Sequence, residues 1–413
     1  MSGLIDLQEH YTHTNVGGLL NIDILGSGYL TIFYSILINI ISFYLIYKLS
    51  KSKIINFHRS ILIFAYHTFF SISMISILLI VPNDLDTYFQ KGLLYPDEGM
   101  DKYYNFKLWG VLAMSRIYRS LYLYLSMGFI STGILFGAIG AFVIIFLDKM
   151  LIKNLSSTNN KEEIKFLSKI IIPFLAFFPS LSIWTGYLGK EILTIMVLIW
   201  FAYIFLNNKN ILLIISFFVP LAILLVLIRP HFSFFFGVSF LIYLILEYIK
   251  IKYLKYFILF ALLFISVFIG KTFIGAGASE KNLYEIIKYF VFSAEAQREY
   301  VSMSKSWTDT TGYNFFQLYL SFLFRPIIEL GSPRNIYLSL ENFFLIVVFL
   351  ILLFNFDYKK LLKDNKAKFF MIFFISTSVI MALYTADLGV YWRQKWLLLP
   401  YFFIGITLIQ KKE

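Results

Sequence analysis

The chain contains no cysteine. A structural disulfide and a thiolate metal site are therefore both excluded. Charge is scarce as well: Asp, Glu, Lys and Arg make up 15% of 413 residues. A soluble chain of this length needs far more polar surface. Alternation of apolar and polar residues is also missing from the long apolar runs, which rules out a transmembrane β-barrel. Lys-rich segments such as KKLLKDNKAK and KNLSSTNNKEEIKFLSK hold no Gly-rich phosphate loop, so no nucleotide cofactor is expected. The first 26 residues show no basic segment ahead of an apolar core, so no cleavable signal peptide is expected. Metal and other cofactors are likewise not expected.

Apolar length is what the sequence has in abundance. Of its residues, 59% are hydrophobic and 20% aromatic. Runs long enough to cross a ~30 Å hydrocarbon core recur from end to end. They are expected at roughly 27–47, 60–81, 126–147, 170–183, 191–206, 211–228, 232–249, 256–270, 342–356, 369–384 and 397–409. The fold class is all-α: a polytopic transmembrane helical bundle of about 11 spans, one integral membrane domain over residues 1–413. No internal repeat is visible.

The net charge of +12 would suit a nucleic-acid partner, but in a membrane chain it belongs first to loop asymmetry. Loops 48–59, 148–169, 207–210, 247–255, 357–368 and 410–413 hold 20 Lys and Arg against 7 Asp and Glu. The remainder of the chain holds 16 against 17. The positive-inside rule makes the first set cytoplasmic, with the N-terminus outside and the C-terminus inside. No nucleic-acid partner is expected. The two long loops, 82–125 and 271–341, then lie outside, and long ordered loops carry function. Within them, Ile286, Ile287, Phe290, Val291 and Ala294 fall at helical spacing, and Arg116 and Arg119 are three apart. Both segments read as amphipathic helices on the outer membrane surface.

Ionisable residues cluster at the expected outer helix ends. They are Asp84 and Asp86, Lys190 and Glu191, Arg229 and His231, Arg325, Glu341, and Asp387, Arg393 and Lys395. Residues 229–231, Arg-Pro-His, read as a three-residue external hairpin between two spans. Taken singly, such residues snorkel, stop helices or form surface pairs. His67, inside a span, reads as a hydrogen-bonded core residue. Taken together, the cations suit a lipid-linked phosphate, since the Arg fork matches phosphate geometry. A carboxylate among them can deprotonate an attacking hydroxyl. Aromatics such as Tyr88, Tyr103, Tyr104, Trp307, Tyr313 and Trp392 serve equally as sugar platforms or as an interfacial belt.

Four segments then resemble a known family. FPSLSIWTGYLGKE resembles a W-S-S-x-x-G-K-[DE] signature, and LIRPHFSF its R-P-H segment. FRPIIE with SLEN resembles an F-R-P…x-x-E-N segment, and VYWRQKWLLLP a terminal R-x-R-x-x-x-P segment. In this order they are similar to Wzy-type O-antigen and capsular polysaccharide polymerases. The chain differs from that pattern at Thr185 for Ser, Glu191 for Asp and Lys395 for the second Arg. The resemblance implies a GT-C-like membrane glycosyltransferase in the bacterial inner membrane. Such a polymerase moves a growing glycan from undecaprenyl pyrophosphate to a lipid-linked repeat unit on the periplasmic face, with no metal. Its partners would be that lipid-linked oligosaccharide, membrane lipid and a chain-length regulator. The resemblance casts Arg229, Arg325, Arg393, Lys190 and Lys395 as pyrophosphate ligands. Glu191, Asp84 or His231 would be the base, and Asp86, Glu341, Trp184 and Trp392 glycan contacts. Another GT-C transferase, an O-antigen ligase and a lipid-linked glycan flippase stand as alternatives.

Overall fold

The computed structural model describes residues 28–80, 109–156, 174–186, 189–251, 253–256, 258, 310, 312–327, 333–354, 356–385 and 387–409. Among them there is no β-strand. The helices are α1 (Gly28–Lys51), α2 (Phe57–Ile80), α3 (Trp109–Leu125), α4 (Phe129–Ser156), α5 (Pro179–Thr185), α6 (Lys190–Asn207) and α7 (Ile211–Ile228). They continue as α8 (Pro230–Tyr248), α9 (Phe315–Phe324), α10 (Pro333–Phe354), α11 (Tyr358–Lys363), α12 (Asn365–Tyr384) and α13 (Leu388–Leu408). By length and hydropathy, seven of the described helices can cross a membrane: α1, α4, α6, α7, α8, α10 and α12. This is a helical membrane protein, as expected, because a helix satisfies its backbone groups within its own segment inside hydrocarbon.

Several expected boundaries move. In the span expected at 170–183, the described residues show one helix ending at Leu175 and the seven-residue α5 starting at Pro179, so the helix is interrupted there. The span expected at 342–356 begins at Pro333, and the one at 397–409 begins at Leu388. Polar residues inside these first turns lower the hydropathy without breaking the helix. As a result Glu341, Arg393 and Lys395 lie within helices and not in the loops expected for them. The expected span 256–270 apart from residues 256 and 258, the expected helix that carries Ile286 to Ala294, and most of loops 82–125 and 271–341 lie outside the described residues. Trp109–Leu125 is the helix expected at 108–125; it buries Met114 and Tyr118 and exposes Arg116.

The chain divides into two compact units. The first comprises Met1–Met150 and Pro173–Ser233; the second comprises Leu151–Ile172 and Phe234–Glu413. In the first, α2 is tied to α4 by a forked ion pair, Arg59 Nε to Asp148 Oδ2 at 2.6 Å and Nη2 to Oδ1 at 2.7 Å. Close approach comes from α4 glycines. A Cβ at Gly140 would overlap the Thr185 carbonyl, and one at Gly137 would overlap the Ser71 hydroxyl. In the second unit aromatic rings fill the core. Phe349 of α10 stacks on Phe402 of α13 at 4.2 Å, and Phe322 of α9 meets Tyr391 of α13 edge-on at 5.6 Å.

Candidate functional site

In the first unit, segments far apart in sequence meet at the end of α7. The expected three-residue hairpin is shorter than the sequence implied: Arg229 alone separates α7 from α8. Pro230 opens α8, where its missing N–H costs nothing. Both backbone groups of Arg229 are used. Its N–H bonds the Leu225 carbonyl at 2.7 Å, and its carbonyl accepts from Ser233 N at 3.1 Å. The Ser233 hydroxyl reaches back to the Ala222 carbonyl at 2.9 Å, clamping the two helices. Arg229 is thus held at a fixed place, and its guanidinium donates from Nη2 to Glu191 Oε1. The guanidinium also lies 5.5 Å from the Phe232 ring centre.

Glu191 comes from the first turn of α6, which Gly189 opens in an extended conformation without a side-chain cap. A carboxylate there also suits the positive end of the helix. Glu191 is 1% exposed and Arg229 4%. Lys190, one residue earlier and about 100° around the helix, is only half-buried. His231 is exposed in the first turn of α8. The sequence reading placed these charges at an exposed helix-end surface; the central pair is instead buried.

The segment leading to α6 is itself anchored. Thr185 Oγ1 donates to the Leu181 carbonyl at 2.6 Å, which uses the only hydroxyl proton. His67 Nε2, 2.8 Å from the same oxygen, is therefore the donor there, and the tautomer carries its proton on Nε2. Ser71 donates to the Gly186 carbonyl at 2.8 Å. His67 is the hydrogen-bonded core residue that the sequence implied. Trp184 is half-buried on the same short helix.

The second unit gathers the F-R-P, S-L-E-N and terminal segments. Arg325 follows the last residue of α9 and donates from Nη1 to the Tyr313 hydroxyl at 3.0 Å. Asn342 Nδ2 donates to the Pro326 carbonyl at 2.9 Å. Lys395 donates to Asn342 Oδ1 and, at 3.3 Å, to the Leu323 carbonyl. Lys395 and Asn342 are each 1% exposed. Glu341 is buried and accepts from the Tyr337 hydroxyl at 2.9 Å. Arg393 and Trp392 are half-buried. Two residues on a helix are about 200° apart, so Arg393 and Lys395 take different directions. Asp387 caps α13 by accepting from Val390 N at 2.9 Å.

Asp84, Asp86, Tyr88, Tyr103, Tyr104 and Trp307 lie outside the described residues. Sequence reasoning overlooked Asn342 and Ser71. The Asn of S-L-E-N was the available signal for the first; nothing in sequence singles out Ser71. Among the described residues, no group of His, Asp and Glu is arranged to hold a metal. No protein-family model matches this chain, and no curated protein or solved structure is similar to it.

Proposed function

We propose that this chain is a membrane glycosyltransferase that polymerises a bacterial surface polysaccharide. It transfers the growing glycan from undecaprenyl pyrophosphate to a lipid-linked repeat unit at the external face of the inner membrane. The acceptor hydroxyl attacks the donor's anomeric carbon, the bond to the pyrophosphate oxygen breaks, and undecaprenyl pyrophosphate departs. Arg229, helped by Lys190, neutralises the leaving charge, as preorganised cations do. Arg325 and Arg393 are the further phosphate-directed cations of this reading. Glu191, His231 or Asp84 takes the hydroxyl proton.

The observation that carries the reading is the contact between Arg229 and Glu191. Two family-like segments, G-K-E and R-P-H, stand 38 residues apart in sequence yet share one buried ion pair. A guanidinium has five N–H donors in a planar fork, a geometry that suits both a carboxylate and a phosphate. A second reading, a lipid-linked glycan flippase, is favoured by the burial of Glu191, Arg229 and Lys395, since a transport path buries charge among its helices.

A deletion strain tests both. A polymerase deletion leaves surface glycan capped with a single repeat. A flippase or ligase deletion removes surface glycan and leaves lipid-linked units stalled. Complementation with Arg229→Ala should leave the protein in the membrane and abolish long chains; normal chain length would sink the assignment. Full rescue by Arg229→Lys would remove the need for a forked contact.

A further inference from the structure

We infer that Asn342 and Lys395 are positioning residues that fix Arg325, and that Lys395 is not itself a phosphate ligand. The role of Arg325 rests on the polymerase reading; the bracket around it does not. α9 stops at Phe324, and its last four carbonyls have no partner within the helix. The Arg325 N–H takes the Ser321 carbonyl at 3.0 Å. The Leu323 carbonyl is taken by the Lys395 ammonium, from another helix. Pro326 has no N–H to hold the chain after the helix, and its carbonyl is taken by Asn342 Nδ2. The other end of the same carboxamide accepts from Lys395.

Leu323 O, Lys395, Asn342 and Pro326 O therefore form one buried chain of contacts that brackets Arg325 from both sides. Burial makes the bracket stiff, because opening any contact leaves a polar group without water. The ammonium spends two of its three N–H groups on it. Arg325 itself is only half-buried, so the bracket fixes its backbone and leaves its side chain toward the less buried side. A phosphate would reach Lys395 only by breaking the bracket. The Lys in place of the family's second Arg then has a reason: a compact ammonium fits between two oxygens where a planar fork does not.

The absence of cysteine permits a direct test in the full chain. Ile327, 48% exposed and one residue past the bracket, is changed to Cys and given a nitroxide label. Asn342→Leu or Lys395→Met should sharpen the label's spectrum, with correlation time falling at least about twofold. A label on α1, at Tyr44→Cys, should not change. In glycan profiling, Asn342→Leu should cut long chains at least tenfold, and add nothing when Arg325→Ala is already present. An unchanged Ile327→Cys spectrum overturns the bracket whatever the glycan does. A further loss of chain length in the Arg325→Ala background overturns positioning through Arg325. A sharpened spectrum with wild-type glycan in Arg325→Ala leaves the bracket standing and removes the polymerase role of Arg325.

Discussion

Arg229 in the first unit and Lys395 in the second are both cations buried to within a few per cent of complete exclusion from solvent. Arg229 is held by an opposite charge, the Glu191 carboxylate. Lys395 makes its hydrogen bonds to neutral oxygens, a carboxamide and a backbone carbonyl, and the buried Glu341 carboxylate acts on it electrostatically without a direct contact as close as that of Glu191 on Arg229. An ion pair repays desolvation by Coulomb attraction and is costly to break from one side. Hydrogen bonds to dipoles repay less, but the acceptors stranded by their loss are themselves neutral. The first arrangement therefore concentrates its sensitivity in two residues. The second spreads it over a lysine, an asparagine and two carbonyls. A site that must meet a charged ligand gains from the first kind, because an incoming anion can compete with Glu191 for the guanidinium. A site that must hold a backbone still gains from the second.

The largest expected effect comes from splitting the pair. Arg229→Met or Glu191→Leu leaves one uncompensated buried charge, and each should cost about 3–5 kcal/mol. The double variant Glu191→Leu, Arg229→Met should recover most of that loss. Thermal unfolding of the purified protein in detergent measures both. If the single losses are small, or simply add in the double variant, the pair is not held as a desolvated unit. Lys395→Met should cost less, about 1–3 kcal/mol, because the acceptors it strands directly are neutral and Glu341 makes no ion-pair contact with it. A loss equal to that of Arg229→Met would erase the contrast between the two cations.

How much of this was legible in the sequence depends on the kind of residue. The helices α6, α7 and α8 were expected at 191–206, 211–228 and 232–249, and they are found at Lys190–Asn207, Ile211–Ile228 and Pro230–Tyr248. Their apolar runs end abruptly at Asn207, Asn208, Lys209 and Asn210 and at Arg229, so hydropathy alone marks them. Asn210 even caps α7, accepting from Leu212 N at 3.0 Å. The polar first turns of α10 and α13 hid from the same signal, and with them the burial of Glu341, Asn342 and Lys395. Candidate residues were readable as types, since Arg, Lys and carboxylates are conspicuous in so apolar a chain. Their pairing was not. Glu191 finds Arg229 across 38 residues, and Lys395 finds Asn342 across 53, through helix packing that no local pattern encodes. Loop charge counts also said nothing about depth: they sort residues by side of the membrane, not by burial.

The smallest expected effect concerns how each helix is started. α13, which carries Arg393 and Lys395, is capped by the Asp387 carboxylate on Val390 N. α6, which carries Lys190 and Glu191, begins at Gly189 with no side-chain cap. The start of α13 is thus secured by its own first turn, whereas the start of α6 relies on Glu191 being held by Arg229. Asp387→Ala should cost about 1 kcal/mol, and Asp387→Asn should restore most of it, since either side chain can accept the N–H. Gly189→Ser supplies the missing cap acceptor without adding a charge at this buried position and should add a few tenths of a kcal/mol in the wild-type chain. In the Glu191→Leu chain it should add more, because there the ion pair no longer helps to hold that helix start. Thermal unfolding of the four chains reads the difference. An equal gain in both backgrounds would mean that the ion pair does not hold the start of α6, and that its role lies wholly with Arg229.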